Sequence, residues 1–235
     1  MTWRIHRFPI LASTNDLALE WVRAGTADVG DVVVAAEQTA GRGRPGRSWH
    51  SPRGALLMSA VLPFHPARVG WTALAAGLAA AEAARDLGAP AGVKWPNDVV
   101  IGARKLAGVL AEASVPGLVV VGIGMNVSNP APDDPELAAR SARLVEYTPE
   151  AGVDTVLDAL LERLAARWEL LAAAEPGPLR RAWEALDTTA GRRLLWSESR
   201  AAGIAEGVDD AGALRLRAGD GRLLTAVVGE VTFLD

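Results

Sequence analysis

The chain has 235 residues, of which 50% are hydrophobic and 22% charged, so it can bury a substantial core and general disorder is excluded. Its formal net charge of −4 and isoelectric point near 5.5 argue against a protein that mainly binds nucleic acid non-specifically. The absence of cysteine excludes disulfides, thiolate nucleophiles and cysteine-ligated metals, and it fits a reducing cytoplasm.

The basic residues are divided very unevenly between arginine and lysine. The 24 cations comprise 22 arginines and only two lysines, Lys94 and Lys105. A compositional bias toward arginine that spares two lysines indicates a chemical need for an ammonium group at these positions.

The first third of the chain predicts alternating strands and helices. Side-chain oxygens at Ser13 and its neighbours precede an apolar pattern that stops at Gly25, which predicts a capped helix. A later segment is apolar nearly all round and predicts a buried helix; its tract 73–84 is too short, and too interrupted by Glu82, to span a membrane. The predicted elements are a strand over 2–8, a helix over 13–25, strands over 31–37 and 55–62, and a helix over 67–87.

The remaining elements predict an α+β fold: a mixed β-sheet domain packed with helices, followed by a small β-barrel. Gly102-Ala103 suits a two-residue hairpin turn between two short strands. From Asp187 onward the chain shows strands of about five residues separated by turn clusters, the texture of a barrel. The other predicted elements are strands over 93–95, 99–101, 104–112 and 119–123, and helices over 153–174 and 179–186.

A glycine- and arginine-rich loop over 38–54 is the first candidate for chemistry. The segment 38–81 has no acidic residue but contains Arg42, Arg44, Arg47, Arg53 and Arg68. Its G-x-G-x-x-G spacing is a weak signal for a dinucleotide site, because Pro45 and a following strand replace the required helix. Unpaired guanidinium groups repel one another and stay mobile until anions organise them, which favours a phosphate or carboxylate site. A solvated basic loop and a nucleic-acid-binding arginine tract are the alternatives.

The second candidate is the segment that contains both lysines. Lys105 lies in an otherwise apolar strand, where a lysine normally has an anionic partner because burying an unpaired ammonium is costly. Lysine is also a compact point charge suited to a phosphoryl oxygen. Alternatively, Lys94 and Lys105 only hold the hairpin together by pairing with Asp98 or Glu112. Asp98 itself could position a metal or an amine nucleophile, or simply begin a turn.

Two weaker signals come from polar residues near element ends. Ser13-Thr14-Asn15 is either an N-cap alone or a receptor for a polar ligand head, since helix starts offer N–H groups. Glycines at the end of the strand over 119–123 would allow a ligand to approach closely, with Asn126 reading it. The three histidines lack metal-ligand spacing and no Ser/His/Asp grouping occurs, so the residues predict electrostatic activation of an anionic substrate without a covalent enzyme nucleophile.

These motifs together resemble those of the biotin–protein ligases, also called biotin–[acetyl-CoA-carboxylase] ligases. The resemblance runs through residues 1–130 in the order and spacing of that family, and the later elements are compatible with it. The combination of G-R-G-R-x-G-R with K-W-P-N-D is highly specific. The matching segments are Ser13-Thr14-Asn15, Gln38-Thr39-Ala40-Gly41-Arg42-Gly43-Arg44, Trp49 with Ser51-Pro52, Lys94-Trp95-Pro96-Asn97-Asp98, Arg104-Lys105-Leu106-Ala107-Gly108 and Gly122-x-Gly-x-Asn126.

The resemblance implies a two-step ligase reaction. The biotin carboxylate attacks the α-phosphate of Mg-ATP to give biotinyl-5′-AMP, and a lysine of a biotin carboxyl carrier domain then displaces AMP. The first step brings a carboxylate onto a polyphosphate, so cations must offset the repulsion. The acceptor would belong to an acetyl-CoA, acyl-CoA or pyruvate carboxylase. The resemblance also implies a catalytic domain over 1–186 and an SH3-like barrel over 187–235.

The resemblance further assigns roles to individual residues. Lys105 would hold the biotin carboxylate and α-phosphate oxygens, Lys94 and Asp98 would lie near the phosphates, metal or incoming lysine, and Asn97 would contact the adenylate or metal. The catalytic set is Lys105, Lys94, Asp98 and Arg44, and the substrate-binding set is Ser13, Thr14, Asn15, Gln38, Gly41, Arg42, Gly43, Arg44, Trp49, Lys105 and Asn126. The ligands of Mg²⁺ are not assigned.

Three departures qualify these implications. Some family members carry an N-terminal DNA-binding domain and act as repressors, whereas this chain begins at the first catalytic strand, so no DNA partner is expected. Pro45 would stiffen the arginine loop. The predicted barrel has no lysine, so an ATP contact there would need an arginine such as Arg215 or Arg217. A lipoate ligase or lipoyl/octanoyl transferase is the alternative with the same fold, disfavoured by the arginine and lysine motifs.

Overall fold

A computed structural model describes residues 1–44, 47–173, 175 and 177–234, which form two β-sheets and five α-helices. The larger sheet has the strand order β1-β2-β3-β7-β6-β5-β4 and is mixed, because β1 and β2 are parallel while its other neighbours are antiparallel. Its strands are β1 (Arg4–Phe8), β2 (Asp31–Ala35), β3 (Ala55–Pro63), β4 (Gly92–Lys94), β5 (Asp98–Ile101), β6 (Arg104–Val115) and β7 (Leu118–Asn126).

The helices confirm most of the sequence-based expectations. The first helix begins after Ser13, whose hydroxyl accepts a hydrogen bond from the Asp16 amide, and ends at Gly25 in the left-handed conformation. No helix in the described part of the chain has the length and apolar character needed to cross a bilayer. The helices are α1 (Thr14–Ala24), α2 (Val69–Asp86), α3 (Pro135–Ala139), α4 (Val153–Ala172) and α5 (Gly177–Glu184).

The larger sheet is covered on both faces, which explains its strongly apolar strands. Along β2, Val32 and Val34 pack into the main core with α2 and α4, whereas Val33 packs with α1 on the opposite face. The predicted burial of α2 is confirmed, since it lies between the sheet and α4. The α1 face is only partly covered by that short helix, and this leaves room for a cavity beside it.

The C-terminal segment forms a five-stranded antiparallel sheet. Its order is β11-β10-β9-β8-β12, and within the described residues its two edge strands are not paired with each other. The predicted small β-barrel is therefore correct in strand content, but its closure is not observed. The strands are β8 (Arg193–Trp196), β9 (Ala201–Val208), β10 (Leu214–Ala218), β11 (Leu223–Ala226) and β12 (Val231–Phe233).

The turn between β9 and β10 connects the smaller sheet to the larger one. The indole nitrogen of Trp71 on α2 donates to the Asp210 carbonyl at 2.9 Å, and that of Trp95 donates to the Gly212 carbonyl at 3.2 Å. A Cβ added to Gly70 would lie 2.1 Å from the Ala211 carbonyl oxygen. The β9–β10 turn thus makes a close backbone contact with the start of α2, and the domain boundary predicted at 186/187 precedes this turn in the chain.

The chain segment entering the smaller sheet contains a carboxylate in an unfavourable environment. Asp187 accepts a hydrogen bond from the Thr189 amide at 2.7 Å, but its Oδ2 atom is buried without a partner among the described residues. Burial raises the pKa of Asp187, and the nearby negative charge of Glu184 acts in the same direction. Ionised Asp187 therefore costs stability at neutral pH.

We expect Asp187→Asn to stabilise the protein at neutral pH. The native pKa lies above the unfolded value of about 3.9, so the wild type loses stability as pH rises through that window. An amide keeps an oxygen for Thr189 and removes the charge. The melting temperature at pH 7 should rise by about 2 °C, and the gain over wild type should vanish near pH 3. Thermal denaturation from pH 3 to 8 would refute the assignment if the difference between the two proteins did not depend on pH.

Candidate active site

A cavity of about 420 Å³ opens on the α1 face of the larger sheet. Such a volume is within the range of small-molecule sites. It brings together most of the residues predicted for the site, and within the described ranges its lining omits only Asn15, Gly41 and Asn126. The predicted site residues that line it are Ser13, Thr14, Gln38, Arg42, Gly43, Arg44, Trp49, Lys94, Asn97, Asp98 and Lys105.

One end of the cavity is a polar receptor at the start of α1. Gln38 Oε1 accepts hydrogen bonds from the Thr14 amide at 2.7 Å and the Thr14 hydroxyl at 3.1 Å. The Gln38 amide nitrogen donates to the Ser51 hydroxyl at 2.9 Å. Ser13 also caps the helix, so the same residues form the N-cap and line the cavity. The interpretation of Ser13-Thr14-Asn15 as an N-cap therefore does not exclude its interpretation as a ligand receptor.

Asn15 lies behind this receptor. Its Nδ2 atom donates to Glu112 at 2.8 Å and to the Leu110 carbonyl at 3.3 Å. A Cβ on Gly122 would lie 2.1 Å from Asn15 Oδ1, so this glycine makes room for a side chain of the same protein. Gly122 also lines the cavity, so the expected ligand contacts of this glycine and of Asn15 stay predictions, while in this structure Asn15 binds protein groups.

The two lysines flank one carboxylate in the middle of the cavity. Lys105 Nζ lies 2.5 Å from Asp98 Oδ1, and Lys94 is the cross-strand neighbour of Asp98. The expected anionic partner of Lys105 is therefore present. The salt bridge is partly open to solvent, with 35% of the Lys105 side chain and 23% of the Asp98 side chain exposed. A ligand anion can therefore reach the Lys105 ammonium group without displacing residues of the hydrophobic core.

A β-bulge directs Lys105 into the cavity. Asp98 faces Gly108 and Val99 faces Ala107, but the next pair is Val100 with Lys105, so β6 has an extra residue at Leu106. Leu106 and Ala107 both pack into the main core, and Lys105 changes face. Its ammonium group lies against Gly108, where an added Cβ would be only 3.1 Å away.

Lys94 is half-buried, and it contacts the smaller sheet. Burial lowers the pKa of Lys94, opposed by the negative charge of Asp98. Its Nζ lies 4.9 Å from the centre of the Phe233 ring on β12, a cation–π distance. The ring also contacts the Arg192 guanidinium at 4.2 Å.

The arginines of the loop are paired, which corrects the expectation of an unpaired cluster. Arg42 forms ion pairs with Asp16 and Glu112, and Arg53 pairs with Glu37. Arg44 donates to the Gly229 carbonyl at 2.7 Å, and Arg47 pairs with Glu230, both in the loop before β12. Glu112 lies 70 residues from Arg42, and Glu230 lies 183 residues from Arg47, too distant for any local sequence signal. The expected effect of Pro45 lies outside the described residues.

Trp49 forms a wall of the cavity, as expected. Its indole lies against Gly124, where a Cβ would be 2.5 Å from the ring, and the Lys105 ammonium is 5.4 Å from the ring centre. Gly41 supports this wall from outside, since a Cβ there would be 2.6 Å from the Trp49 carbonyl oxygen. Gly124 thus accommodates the indole rather than only a ligand.

The two asparagines expected to contact the adenylate or metal both donate hydrogen bonds to the backbone. Asn97 donates to the Val109 carbonyl at 2.7 Å. Asn126 donates to the Ala142 carbonyl at 3.2 Å, and Ala142 in turn donates to the Lys105 carbonyl at 2.8 Å. Asn126 therefore supports the strand that carries Lys105, and its expected role as a direct reader is not supported by this geometry.

Sequence reasoning missed several lining residues. Arg140 reaches the cavity because its carbonyl accepts from the Lys105 amide at 2.7 Å. Glu230, Val231, Thr232 and Phe233 line it from the smaller sheet. Arg215 and Arg217, suggested as ATP contacts, pair with Glu206 and lie outside the described lining. The smaller sheet packs beside the larger one and so brings residues 230–233 to the cavity. Local sequence patterns do not reveal this arrangement.

Comparison with known proteins places this geometry in a family. The profile of the biotin/lipoate A/B protein ligase family matches residues 8–127, just over half of the chain. The chain belongs to this family. All the catalytic residues predicted from the resemblance, Lys94, Asp98, Lys105 and Arg44, lie within the matched family region.

Individual family members extend the similarity over nearly the whole chain. A biotin–[acetyl-CoA-carboxylase] ligase from Mycobacterium tuberculosis is 36% identical over 94% of this chain and 86% of its own length. The bifunctional ligase/repressor BirA of Escherichia coli is 34% identical over 95% of this chain and 72% of its own. The solved biotin protein ligase from Aquifex aeolicus, in complex with biotin and ATP, superimposes with a TM-score of 0.87 at 28% identity, covering 98% of both chains.

Proposed function

We propose that this protein is a biotin–protein ligase. In this reaction ATP activates biotin to biotinyl-5′-AMP, and the biotinyl group passes to a lysine of a carrier domain. The observation that carries the proposal is that the polar receptor of Thr14 and Gln38 lines the same cavity as Lys94, Asp98 and Lys105. The similarity to biotin ligases over the whole chain supports the same conclusion.

The first step joins a carboxylate to a phosphate, and the cavity supplies cations for both. The biotin carboxylate oxygen attacks the α-phosphorus and pyrophosphate leaves. The Lys105 ammonium would move partly away from Asp98 and bind the biotin carboxylate and α-phosphate oxygens. This contact would stabilise the negative charge that develops between them. Lys94 lies across from Asp98 and would bind the phosphates as a point charge. Arg44 and Arg47 would hold the far side of the nucleotide.

The second step needs an amine to reach the activated acyl carbon. The ε-amine of the acceptor lysine attacks that carbon, AMP leaves, and the amine loses a proton. Asp98 is the carboxylate that the two lysines hold in the cavity, so it would receive or orient the incoming ammonium once the phosphates have drawn Lys105 away. An enclosed position would also protect the mixed anhydride from water.

Mg²⁺ belongs to this proposal as the companion of the ATP substrate. Among the described residues there is no group of three histidine, aspartate or glutamate side chains that could hold a metal alone. Mg²⁺ in ATP-using enzymes is usually bound by substrate phosphates with one or two carboxylates. Asp98 and Glu230 are the carboxylates that line the cavity. The ion would supply charge neutralisation of the phosphates.

The proposed acceptor is the biotin carboxyl carrier domain of an acetyl-CoA, acyl-CoA or pyruvate carboxylase, and the proposed location is the cytoplasm, where ATP is available. The decisive test is mass spectrometry of a carrier domain incubated with the protein, ATP, Mg²⁺ and biotin or lipoate. We expect a mass increase of one biotinyl group that requires ATP. Modification by lipoate alone would replace this function with a lipoate ligase, and no modification by either would refute both.

Phe233 offers a test of whether the smaller sheet contributes to ATP binding. Phe233→Leu keeps an apolar side chain but removes the cation–π contact with Lys94, which is typically worth about 0.5–2 kcal/mol. We expect the KM for ATP in pyrophosphate exchange to rise about fivefold, with the KM for biotin unchanged. Phe8→Leu, whose ring contacts Trp21 far from either lysine, is the matched control. Equal KM values for ATP in the two variants would contradict the role of Phe233.

A further inference from the structure

Glu112, on β6, makes contacts that the reaction described above does not use. Both of its oxygens accept hydrogen bonds from Arg42, at 3.0 Å from Nη1 and 2.6 Å from Nη2. The same carboxylate accepts from Asn15 at 2.8 Å. Glu112 is half-buried, with 28% of its side chain exposed. A bidentate ion pair with a third hydrogen bond is a well-fixed arrangement.

This pairing engages both terminal nitrogens of Arg42, while its Nε atom is buried without a hydrogen-bond partner among the described residues. One of its terminal nitrogens also contacts Asp16 at 2.8 Å, so two carboxylates balance a single guanidinium. The pairing raises the pKa of Arg42, and although burial alone would raise that of Glu112, the bonds from Arg42 and Asn15 lower it. Arg42 lines the cavity, yet its charge is already neutralised. It is therefore poorly suited to attract a ligand anion, whereas Lys94 and Lys105 share the one carboxylate of Asp98 and keep an excess of positive charge.

A chain of hydrogen bonds continues from Glu112 to the polar receptor. The Ser59 hydroxyl lies 2.5 Å from Asn15 Oδ1 and 2.8 Å from the Thr14 hydroxyl, and it donates its one proton to one of these oxygens at a time. The Thr14 amide donates to Gln38 Oε1. Ser59 is fully buried, and Asn15 and Thr14 are nearly so. Buried and connected polar groups of this kind have little freedom to move independently.

We propose that Glu112 is a positioning residue, which fixes the base of the arginine loop through Arg42 and the polar receptor through Asn15. The inference rests on the proposed function, in which that receptor binds the head of biotin. Arg42 then acts as a structural anchor of the loop. The cations that bind the ligand are Lys94, Lys105 and Arg44, which also line the cavity. Loss of the Glu112 carboxylate should loosen biotin binding more than it slows the chemical step.

Glu112→Gln tests this proposal with nearly unchanged shape. The new amide group places N–H donors against the donors of Arg42, so the ion pair is lost. We expect the KM for biotin in pyrophosphate exchange to rise about tenfold, while kcat changes less than twofold. Glu206→Gln is the matched control, since Glu206 also binds two arginines but lies in the smaller sheet away from the cavity. A Glu112→Gln variant with the wild-type KM for biotin would overturn the proposal.

A double-mutant comparison shows whether Glu112 acts through Arg42. If it does, Arg42→Ala with Glu112→Gln should raise the KM for biotin by less than the product of the two single effects, because only the contribution through Asn15 adds to that of Arg42→Ala. A KM raised by the full product would contradict action through Arg42. Trypsin cleavage after Arg42 in the ligand-free protein gives a second readout, expected to be faster in Glu112→Gln than in Glu206→Gln. Equal cleavage rates would contradict the anchor. If the wild type forms no adenylate, the proposed function fails while the cleavage test still decides the anchoring role.

Discussion

Lys105→Ala is expected to fold normally and to lose at least about a hundredfold in the rate of biotinyl-adenylate formation. The side chain is one-third exposed, so its removal leaves no cavity in the core. It leaves Asp98 without its 2.5 Å partner, and it removes the cation closest to that carboxylate. Adenylate formation then has to bring two anions together beside a third one whose charge only Lys94 still offsets.

Lys105→Arg should be almost as damaging as the alanine variant. The ammonium group fits between Gly108 and the Trp49 ring, where an added Cβ on Gly108 would already be 3.1 Å from Nζ. A planar guanidinium is larger and would have to displace the indole or turn away from Asp98. The change preserves charge, so a loss of rate would show that geometry, not charge alone, retains lysine in this arginine-rich chain.

Pyrophosphate exchange and single-turnover adenylate formation would measure both Lys105 variants, with circular dichroism to confirm folding. Arg104→Ala is the neighbouring control, since Arg104 pairs with Glu146 and does not line the cavity in the described ranges. We expect it to form adenylate at close to the wild-type rate. Near-native turnover by Lys105→Arg would mean that the survival of two lysines in the composition is accidental.

The position of Lys105 illustrates how far sequence reasoning reaches in this protein. Its need for an anionic partner follows from a charge in an apolar strand, and Asp98 meets that need. Strict alternation along β6, however, would place Lys105 on the face of Ala107 and Val109, which belong to the main core. The bulge at Leu106 turns the Lys105 side chain to the opposite face of the sheet. No local residue pattern predicts this bulge.

Elements set by local chemistry were predicted well, and contacts between distant segments were not. The Ser13 cap and the helical spacing of α4 depend on residues within a few positions, and both are confirmed. The balance of charge on the arginine loop depends on Glu112 and Glu230, which only the folded sheets bring near. The guanidinium groups were wrongly expected to be unpaired because only carboxylates near them in the sequence were counted. Carboxylates that folding brings close to the loop were left out.

Gly70→Ala should destabilise the protein and reduce catalysis together, because Gly70 lies where α2 contacts the β9–β10 turn of the smaller sheet. A Cβ at this position would be 2.1 Å from the backbone oxygen of Ala211, and a backbone atom cannot yield as a flexible side chain can. The turn at 209–212 would have to move, which strains its hydrogen bonds from Trp71 and Trp95. We expect a loss of about 2 kcal/mol in the free energy of unfolding.

Gly77→Ala provides the control on the same helix. Its added Cβ would meet only Val109, at an ordinary contact distance of 4.0 Å, so the usual preference of helices for alanine should apply. We expect a gain of about 0.5–1 kcal/mol, opposite in sign to Gly70→Ala. Denaturant unfolding measures both changes, and pyrophosphate exchange at a temperature where both proteins are folded measures catalysis.

The catalytic outcome of Gly70→Ala depends on what the smaller sheet contributes. Residues 230–233 line the cavity from β12 and its preceding loop, and Phe233 holds Lys94 from that side. Displacement of the turn should therefore raise the KM for ATP even where the protein is fully folded. A Gly70→Ala protein that is less stable but has unchanged kinetics would show that the smaller sheet stabilises the fold without shaping the site, and that the larger sheet alone positions the nucleotide.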